Sequence, residues 1–420
     1  MKAFLVGLLA LGLVAPSAYG LDRRRNPFQY RFGYFVYPIV QEIPGLGKAS
    51  GVGATVVDIA ETDLDFGGFY LDGEFKASGA YFLNQHLVPH HLVLDWGAFT
   101  YDVAAAQYDR GIDSQNTDYI LPQVKGRGYQ GQLTLMFVDR MLEGFLRQRK
   151  ETYQVHQIFD ANGTAFENVD QSKQDFNDIT WGAKIDYTDD RQDPREGVRL
   201  EWIKKVPENQ DPNLSVFEVI DQNLSLYLPL GRFSTWAFNG YRSDSVVTKM
   251  AETDPSVLAA QIGLGCGAIP DPAAQGACQA SQDNRVAERS AFNRYGRATP
   301  LGGTQRLRAF PNGRFAAGHS RFFGTELRWN LNDESIPFDY ILMKGVRTGF
   351  QLAAFYEVGT VSDQVIELDQ NYRHSAGVGL RVLFEGATVR LDVAQGEEGG
   401  ATTLFIDYPW GLSAVDNSTR

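Results

Sequence analysis

Trp181-Gly182-Ala183-Lys184-Ile185-Asp186-Tyr187-Thr188 puts tryptophan, alanine, isoleucine and tyrosine on one face of an extended chain and glycine, lysine, aspartate and threonine on the other. Alternation with period two is the mark of a strand. It returns at Val198, Leu200 and Trp202 against Arg199 and Glu201, and at Phe323, Thr325, Leu327 and Trp329 against Gly324, Glu326, Arg328 and Asn330. Val389, Leu391 and Val393 oppose Thr388, Arg390 and Asp392 in the same way, and Leu404, Ile406, Tyr408 and Trp410 carry the pattern on. A soluble sandwich also alternates, but its aromatics fall anywhere on the buried face. Here Trp181 and Tyr187, Tyr129 and Phe137, Phe323 and Trp329, and Tyr408 and Trp410 gather at strand ends. Such placement suits the two interfacial girdles of an outer-membrane barrel.

Extending the alternation along the chain predicts an all-β fold: a transmembrane antiparallel β-barrel of about sixteen strands spanning residues 31–410, with the first five strands, over 31–101, the least sharply patterned. The three longest gaps, 102–127, 153–176 and 244–319, follow strands five, seven and eleven. All are odd, so all fall on the outer side, where such barrels carry their long loops. The gap 332–346 is a misfit, because an inner turn should be short. No internal repeat of 20 to 50 residues and no linker divides the chain.

Composition agrees with an exported membrane barrel. The 420 residues are 43% hydrophobic and 12% aromatic, with 43 glycines and 17 prolines, which describes a chain that packs and turns rather than one that stays solvated. Lys2, the apolar run Ala3–Val14, Pro16 and the small residues Ala18 and Gly20 read as a signal peptide over 1–20. A short periplasmic segment, 21–30, then precedes the barrel, and 411–420 form a tail. No later stretch reaches the roughly 18–20 apolar residues that a membrane-spanning helix needs. With net charge −12 the chain is a poor partner for nucleic acid. Cys266 and Cys278, alone in a Gly/Ala/Pro/Gln stretch, most simply staple their own loop in an oxidising compartment, the other reading being two unpaired thiols.

The longest outer segment ends in Leu301-Gly302-Gly303-Thr304-Gln305-Arg306-Leu307-Arg308-Ala309-Phe310-Pro311-Asn312-Gly313-Arg314-Phe315. An arginine framed by apolar residues and glycines can reach into a polar lumen, and Glu326 and Glu357 both fall on inward faces of their strands. A guanidinium can serve two carboxylates at once, so Arg308 pinned by Glu326 and Glu357 would hold the loop inside the barrel. The plainer reading leaves Arg306, Arg308 and Arg314 as solvated loop charges.

The segment Leu307-Arg308-Ala309-Phe310, with Gly302-Gly303 before it and Gly313-Arg314-Phe315 after it, resembles the V-R-G-F loop motif of the BamA/TamA-like outer-membrane assembly-factor superfamily, the bacterial surface antigen barrels. Three further stretches resemble that superfamily: Phe355-Tyr356-Glu357-Val358-Gly359 at a strand end, the Asp/Pro/Gly turn of Thr188–Gly197, and the glycine-alternating Ser375–Arg381. The resemblance implies sixteen strands in the bacterial outer membrane, a sixth outer loop folded into the lumen, Arg308 as its lock and Glu326 and Glu357 as acceptors. Ala309 stands where the motif has glycine, and Glu357 where it has aspartate. The POTRA modules that inserting and secreting members carry ahead of the barrel are expected to be absent, so recruitment of substrate through such modules is not expected, and whether a separate periplasmic partner supplies that role is left open by the sequence.

Catalysis is not expected. There is no G-x-S-x-G elbow, and the histidines have no placed partners for a triad. His86, His90 and His91 flank Pro89 at an inner turn with no adjacent carboxylate except Asp95, which reads as an interfacial turn rather than a zinc site, and Gly263–Gly267 reads as a loop rather than a phosphate cradle; no metal or cofactor is expected. The first functional expectation is insertion or translocation of polypeptide or lipid, with membrane lipids and client outer-membrane polypeptides as partners. Pro409 in the last strand, missing a ladder donor, would suit a loosened seam with the first strand. The alternative is a passive pore or structural barrel with a constricting loop.

Overall fold

The computed structural model describes residues 24, 32–166, 169–208, 213–332, 338–346, 348–384 and 387–411. The stretch 1–20, expected to be a signal peptide, and the tail from 412 lie outside the described residues, as does all of 21–31 but Arg24. Sixteen long antiparallel strands form one closed sheet. In chain order they are β1 (Gly33–Ile43), β2 (Gly47–Val57), β3 (Asp65–Gly73), β4 (Lys76–Val88), β5 (Leu92–Ala104), β6 (Tyr119–Phe137), β7 (Leu142–Asp160) and β8 (Lys173–Thr188). There follow β9 (Gly197–Glu208), β10 (Val216–Pro229), β11 (Ser234–Lys249), β12 (His319–Asn330), β13 (Thr348–Ser362), β14 (Arg373–Phe384), β15 (Ala387–Gly396) and β16 (Gly399–Ile406). Each pairs with its neighbours in sequence, and β1 meets β16.

Burial along the strands is inverted relative to a soluble protein. On β8, Ile179, Trp181, Ile185 and Tyr187 are exposed while Lys184 and Asp186 are buried. On β12 and β13, Phe323, Leu327, Trp329, Phe350, Leu352 and Tyr356 face out, and Glu326, Arg328, Gln351 and Glu357 face in. An apolar exterior around a charged interior is stable when the exterior meets lipid, and curling the sheet into a barrel gives the strands ladder partners on both sides everywhere but along the seam of β1 and β16. Among the described residues no helix is long and apolar enough to cross a membrane.

The long connections 105–118, 161–172, 250–318 and 363–372 all lie at one end, which marks that end as outer, and tight turns such as 89–91, 138–141 and 230–233 lie at the other. Alternation placed the start of β6 near residue 128 and the end of β7 near 152; both strands instead run to 19 residues. At their outer ends the alternation is lost: the outward face of β6 turns to Lys125 and Arg127 while Val124, Gly126 and Gly128 face in, and β7 carries Glu151 and Tyr153 inward against Thr152 and Gln154 outward, so the hydrophobic pattern stops before the hydrogen-bonded ladder does.

Three other departures matter. The connection 250–318 contains two helices, α1 (Pro255–Ile262) and α2 (Pro272–Tyr295), which strand periodicity does not reveal. Asp254 caps α1 by accepting from the Ser256 N–H at 2.8 Å, with Pro255 at the first helical position, a start signal readable in hindsight. The Asn293 side chain ties α2 to the strand ends by accepting from Ser215 N at 3.1 Å and donating to Glu252 O at 2.6 Å. Burial pushes the Glu288 carboxyl on α2 above its ordinary range, against the backbone N–H of Arg110 that it accepts at 2.8 Å.

Cys266 and Cys278 are disulfide-bonded, with Cα atoms 5.6 Å apart. The bond joins the segment after α1 to the first turns of α2, outside the barrel wall. C266S/C278S should therefore leave the heat-modifiable folded band unchanged in gel mobility and raise proteolytic cleavage only within 255–295. Loss of the folded barrel in that variant would contradict this placement.

The second departure concerns the last strand. β16 stops at Ile406, and residues 407–411 turn into the lumen, where Trp410 is buried. Tyr408 and Trp410 are thus not girdle residues, and Pro409 is not within a strand. The third is the misfit segment, which forms a hairpin of Phe338–Tyr340 with Met343–Val346. Its second arm pairs with the inner half of β1, Tyr34 opposite Lys344 and Phe35 opposite Met343, and Val36 N donates to Leu342 O at 3.0 Å. The shortened β16 leaves that edge uncovered, and unpaired strand edges seek partners.

Candidate functional site

The loop 301–315 enters the lumen on a small framework of its own. Leu301 and Phe315 exchange backbone hydrogen bonds at 2.9 and 3.0 Å, closing the segment into a lobe. Gly302 has φ +107°, and a Cβ there would stand 2.3 Å from Pro311 O, so this position requires glycine. At the tip the left-handed residue is Leu307, φ 51°, and not Ala309, so the alanine at the motif's glycine position is accommodated. Leu307, Phe310 and Phe315 are fully buried, with the Phe310 and Phe315 rings edge-on 5.0 Å apart. Leu301 and Leu307 pack over Gly359, where an added Cβ would lie 2.8 Å from one and 3.0 Å from the other.

Arg308 is fully buried and spans three carboxylates. Its Nε donates to Glu357 at 2.9 Å, Nη1 to Asp392 at 3.0 Å and Nη2 to Glu326 at 3.1 Å, while its backbone N–H donates to the second oxygen of Glu357 at 2.9 Å. The guanidinium lies 3.4 Å from the centroid of the Phe355 ring. Ala309 N donates to Ser375 Oγ at 3.0 Å. Both expected acceptors, Glu326 and Glu357, are in place and fully buried.

Asp392, the third acceptor, is not among the expected site residues, and neither are the cations that balance the group. Arg328 donates to Glu326 at 2.7 Å, Arg390 to Asp392 at 2.6 Å, and Arg381 also bonds Glu326. Arg381, Arg390 and Asp392 all stand on the inward faces of β14 and β15, a signal present in the alternation once both ends of the barrel are known to meet. Trp410 adds a contact from the far end of the sequence, donating from Nε1 to Glu357 at 3.1 Å. Its carbonyl accepts from Arg306 at 2.9 Å, and the Arg306 guanidinium sits 3.8 Å from the centre of the Tyr241 ring. Arg314 is buried against Glu398 at 2.7 Å. None of the three loop arginines is a solvated surface charge.

At the inner end the turn 189–196 is tied by its own aspartates: Asp189 accepts from Arg195 N at 2.8 Å, and Asp190 from Gln192 N at 2.8 Å. Beside it Arg191 reaches Glu143 at 2.7 Å and Arg199 reaches Asp186 at 3.1 Å. The His86 group stays at its turn, with His90 N donating to His86 Nδ1 at 3.0 Å. Among the described residues no group of three or more His, Cys, Asp or Glu side chains is arranged to hold a metal ion.

An apolar belt around a charged bore, sealed by an inward loop clamped on acidic wall residues, defines an outer-membrane β-barrel of the plugged kind. No family model matches the chain, and no curated protein matches it in sequence. Its fold is similar to that of CdiB from Escherichia coli, at 8% identity and a TM-score of 0.51, over 89% of this chain and 62% of that one. CdiB from Acinetobacter baumannii is similar at 11% identity and 0.49, over 90% and 60%. BamA from Haemophilus ducreyi lacking POTRA domains 1–3 is similar at 12% and 0.48, over 91% and 70%. The chain thus spans about three fifths of the length of the CdiB chains. The resemblance read from the loop and strand-end motifs holds at the level of the barrel.

Proposed function

We propose that this barrel takes part in inserting or translocating polypeptide or lipid at the outer membrane, and that it works through the seam between β1 and β16 while the Arg308 lobe keeps the lumen shut. The observation that carries this reading is the unequal pairing of β1. On one side it is bonded to β2 from Gly33 to Ile43; on the other it meets β16 only at Glu42 opposite Leu404. Ladder groups without a partner are a template for strand addition, and the hairpin arm Met343–Val346 already uses that template at Tyr34 and Phe35. The clients would be outer-membrane polypeptides.

E42C/L404C, purified and reconstituted in proteoliposomes, tests the seam. With the disulfide formed, folding of an added eight-stranded barrel polypeptide, read as protease protection, should fall to the rate of empty liposomes and return on reduction. Equal rates in the oxidised and reduced states would remove the seam from the mechanism and leave a barrel with a constricting loop.

A further inference from the structure

The outer ends of β6, β7 and β8 carry a feature that neither the lock nor the seam uses. On their outward faces the apolar belt runs up through Leu133 and Leu135, Leu146, and Ile179 and Trp181, and ends at Tyr129, which is 57% exposed. Directly above it the outward residues are Lys125 and Arg127 on β6, Lys150 on β7 and Lys173 on β8, all exposed. Lys150 is the cross-strand partner of Tyr129, Arg127 of Thr152, and Gln154 stands between Lys125 and Lys173. Cross-strand partners lie about 5 Å apart and diagonal ones about 7–8 Å, so the four cations form one contiguous face.

Among the described residues none of these four has an ion-pair or hydrogen-bond partner. Arg149, across the wall on β7, by contrast bonds Glu151 at 2.6 Å. Two carboxylates share the face. Asp102 is opposite both Lys76 and Lys125, with Lys76 held by Asp72 at 3.0 Å, and Asp175 accepts from Thr152 at 2.6 Å. The chain as a whole has 51 acidic residues against 39 Lys and Arg, so a face with four cations against two carboxylates goes against its average.

We infer that this face binds the phosphate groups of the glycolipid in the outer leaflet. Position and charge argue for it together. The cations begin where the acyl-chain belt stops, at the depth of lipid head groups, and at the outer end as the long loops define it. Lysine and arginine above an apolar surface attract anionic head groups, and each lost charge weakens that attraction in a salt-dependent way. The inference also gives a purpose to the 19-residue length of β6 and β7, which lifts these side chains clear of the belt on a rigid ladder.

The test compares the full-length protein with K125Q/R127Q/K150Q/K173Q, in detergent, using diphosphorylated lipid A as the probe. All four side chains are exposed and unpaired, so the heat-modifiable folded band should be unchanged; K204Q, which breaks the Lys204–Glu218 pair on the strand next to β8, opposite Trp181 and below the four cations, serves as a control. Lipid A retention should drop about tenfold or more in the quadruple variant and stay normal in K204Q, and the wild-type affinity should fall with salt more steeply than that of the quadruple variant. Dephosphorylated lipid A should bind wild type as weakly as lipid A binds the variant. Equal retention by wild type and quadruple variant overturns the inference, as does displacement of lipid A by millimolar inorganic phosphate, which would mark a site for the free anion.

Discussion

Arg308→Ala is expected to release the lobe 301–315 from the lumen wall. The three acceptors do not suffer equally. Glu326 keeps Arg328 and Arg381, and Asp392 keeps Arg390, whereas Glu357 is left with only the indole of Trp410 and the backbone N–H of residue 308. Removing one partner of a buried pair costs about 3–5 kcal/mol, most of it from the charge left behind. The loss should therefore appear as faster proteolysis within 301–315 and higher conductance in planar bilayers, with the barrel still closed. Arg308→Lys should fall between, because an ammonium cannot reproduce a fork with three directions. R308A/E357Q should recover part of the protease resistance by removing the stranded charge. If Arg308→Ala leaves both cleavage and conductance at the wild-type level, the lock does not hold the loop.

Gly377→Val is expected to be nearly as damaging, although residue 377 touches no charge. A Cβ there would sit 2.3 Å from Val393 O on β15 and 2.5 Å from the Phe355 ring. Either β14 separates from β15 or the ring moves, and the ring is the floor on which Arg308 lies. Overpacking of this kind typically costs about 1–3 kcal/mol, and the upper end is expected because one of the obstructing atoms is backbone. The temperature at which the folded band is lost should drop markedly. F355L/G377V separates the two routes: a gain over Gly377→Val assigns the damage to the ring, and no gain assigns it to the ladder.

Much of this architecture was legible because barrel strands obey a strict two-residue period. Lys184 and Asp186 against Trp181 and Ile185, or Glu326 against Leu327, reveal inside and outside without reference to any other strand. The lock was partly legible for the same reason: an arginine between glycines and apolar residues, and two glutamates on inward faces, can meet only in the lumen. The part played by Asp392 is not legible in the sequence, because it depends on which inward faces come together once the sheet curls, and period two carries no such information. The hydrophobic pattern likewise says nothing of the polar outer ends of β6 and β7. The position of Trp410 is not legible either, because an aromatic at the end of an alternating run has the same pattern whether the chain continues along the wall or turns into the bore. The helices of the sixth loop leave no trace in two-residue alternation; their signal is the start marked by Asp254 and Pro255.

The inward turn after β16 has a mechanical implication. Trp410 hangs from the strand that forms one lip of the seam, yet its indole and carbonyl are fastened to Glu357 and Arg306, the one an anchor of the lobe and the other part of it. The two devices are thereby coupled in series: a force that draws the last strand sideways also pulls on the plug's mooring, and a well-seated plug stiffens the lip against such a pull.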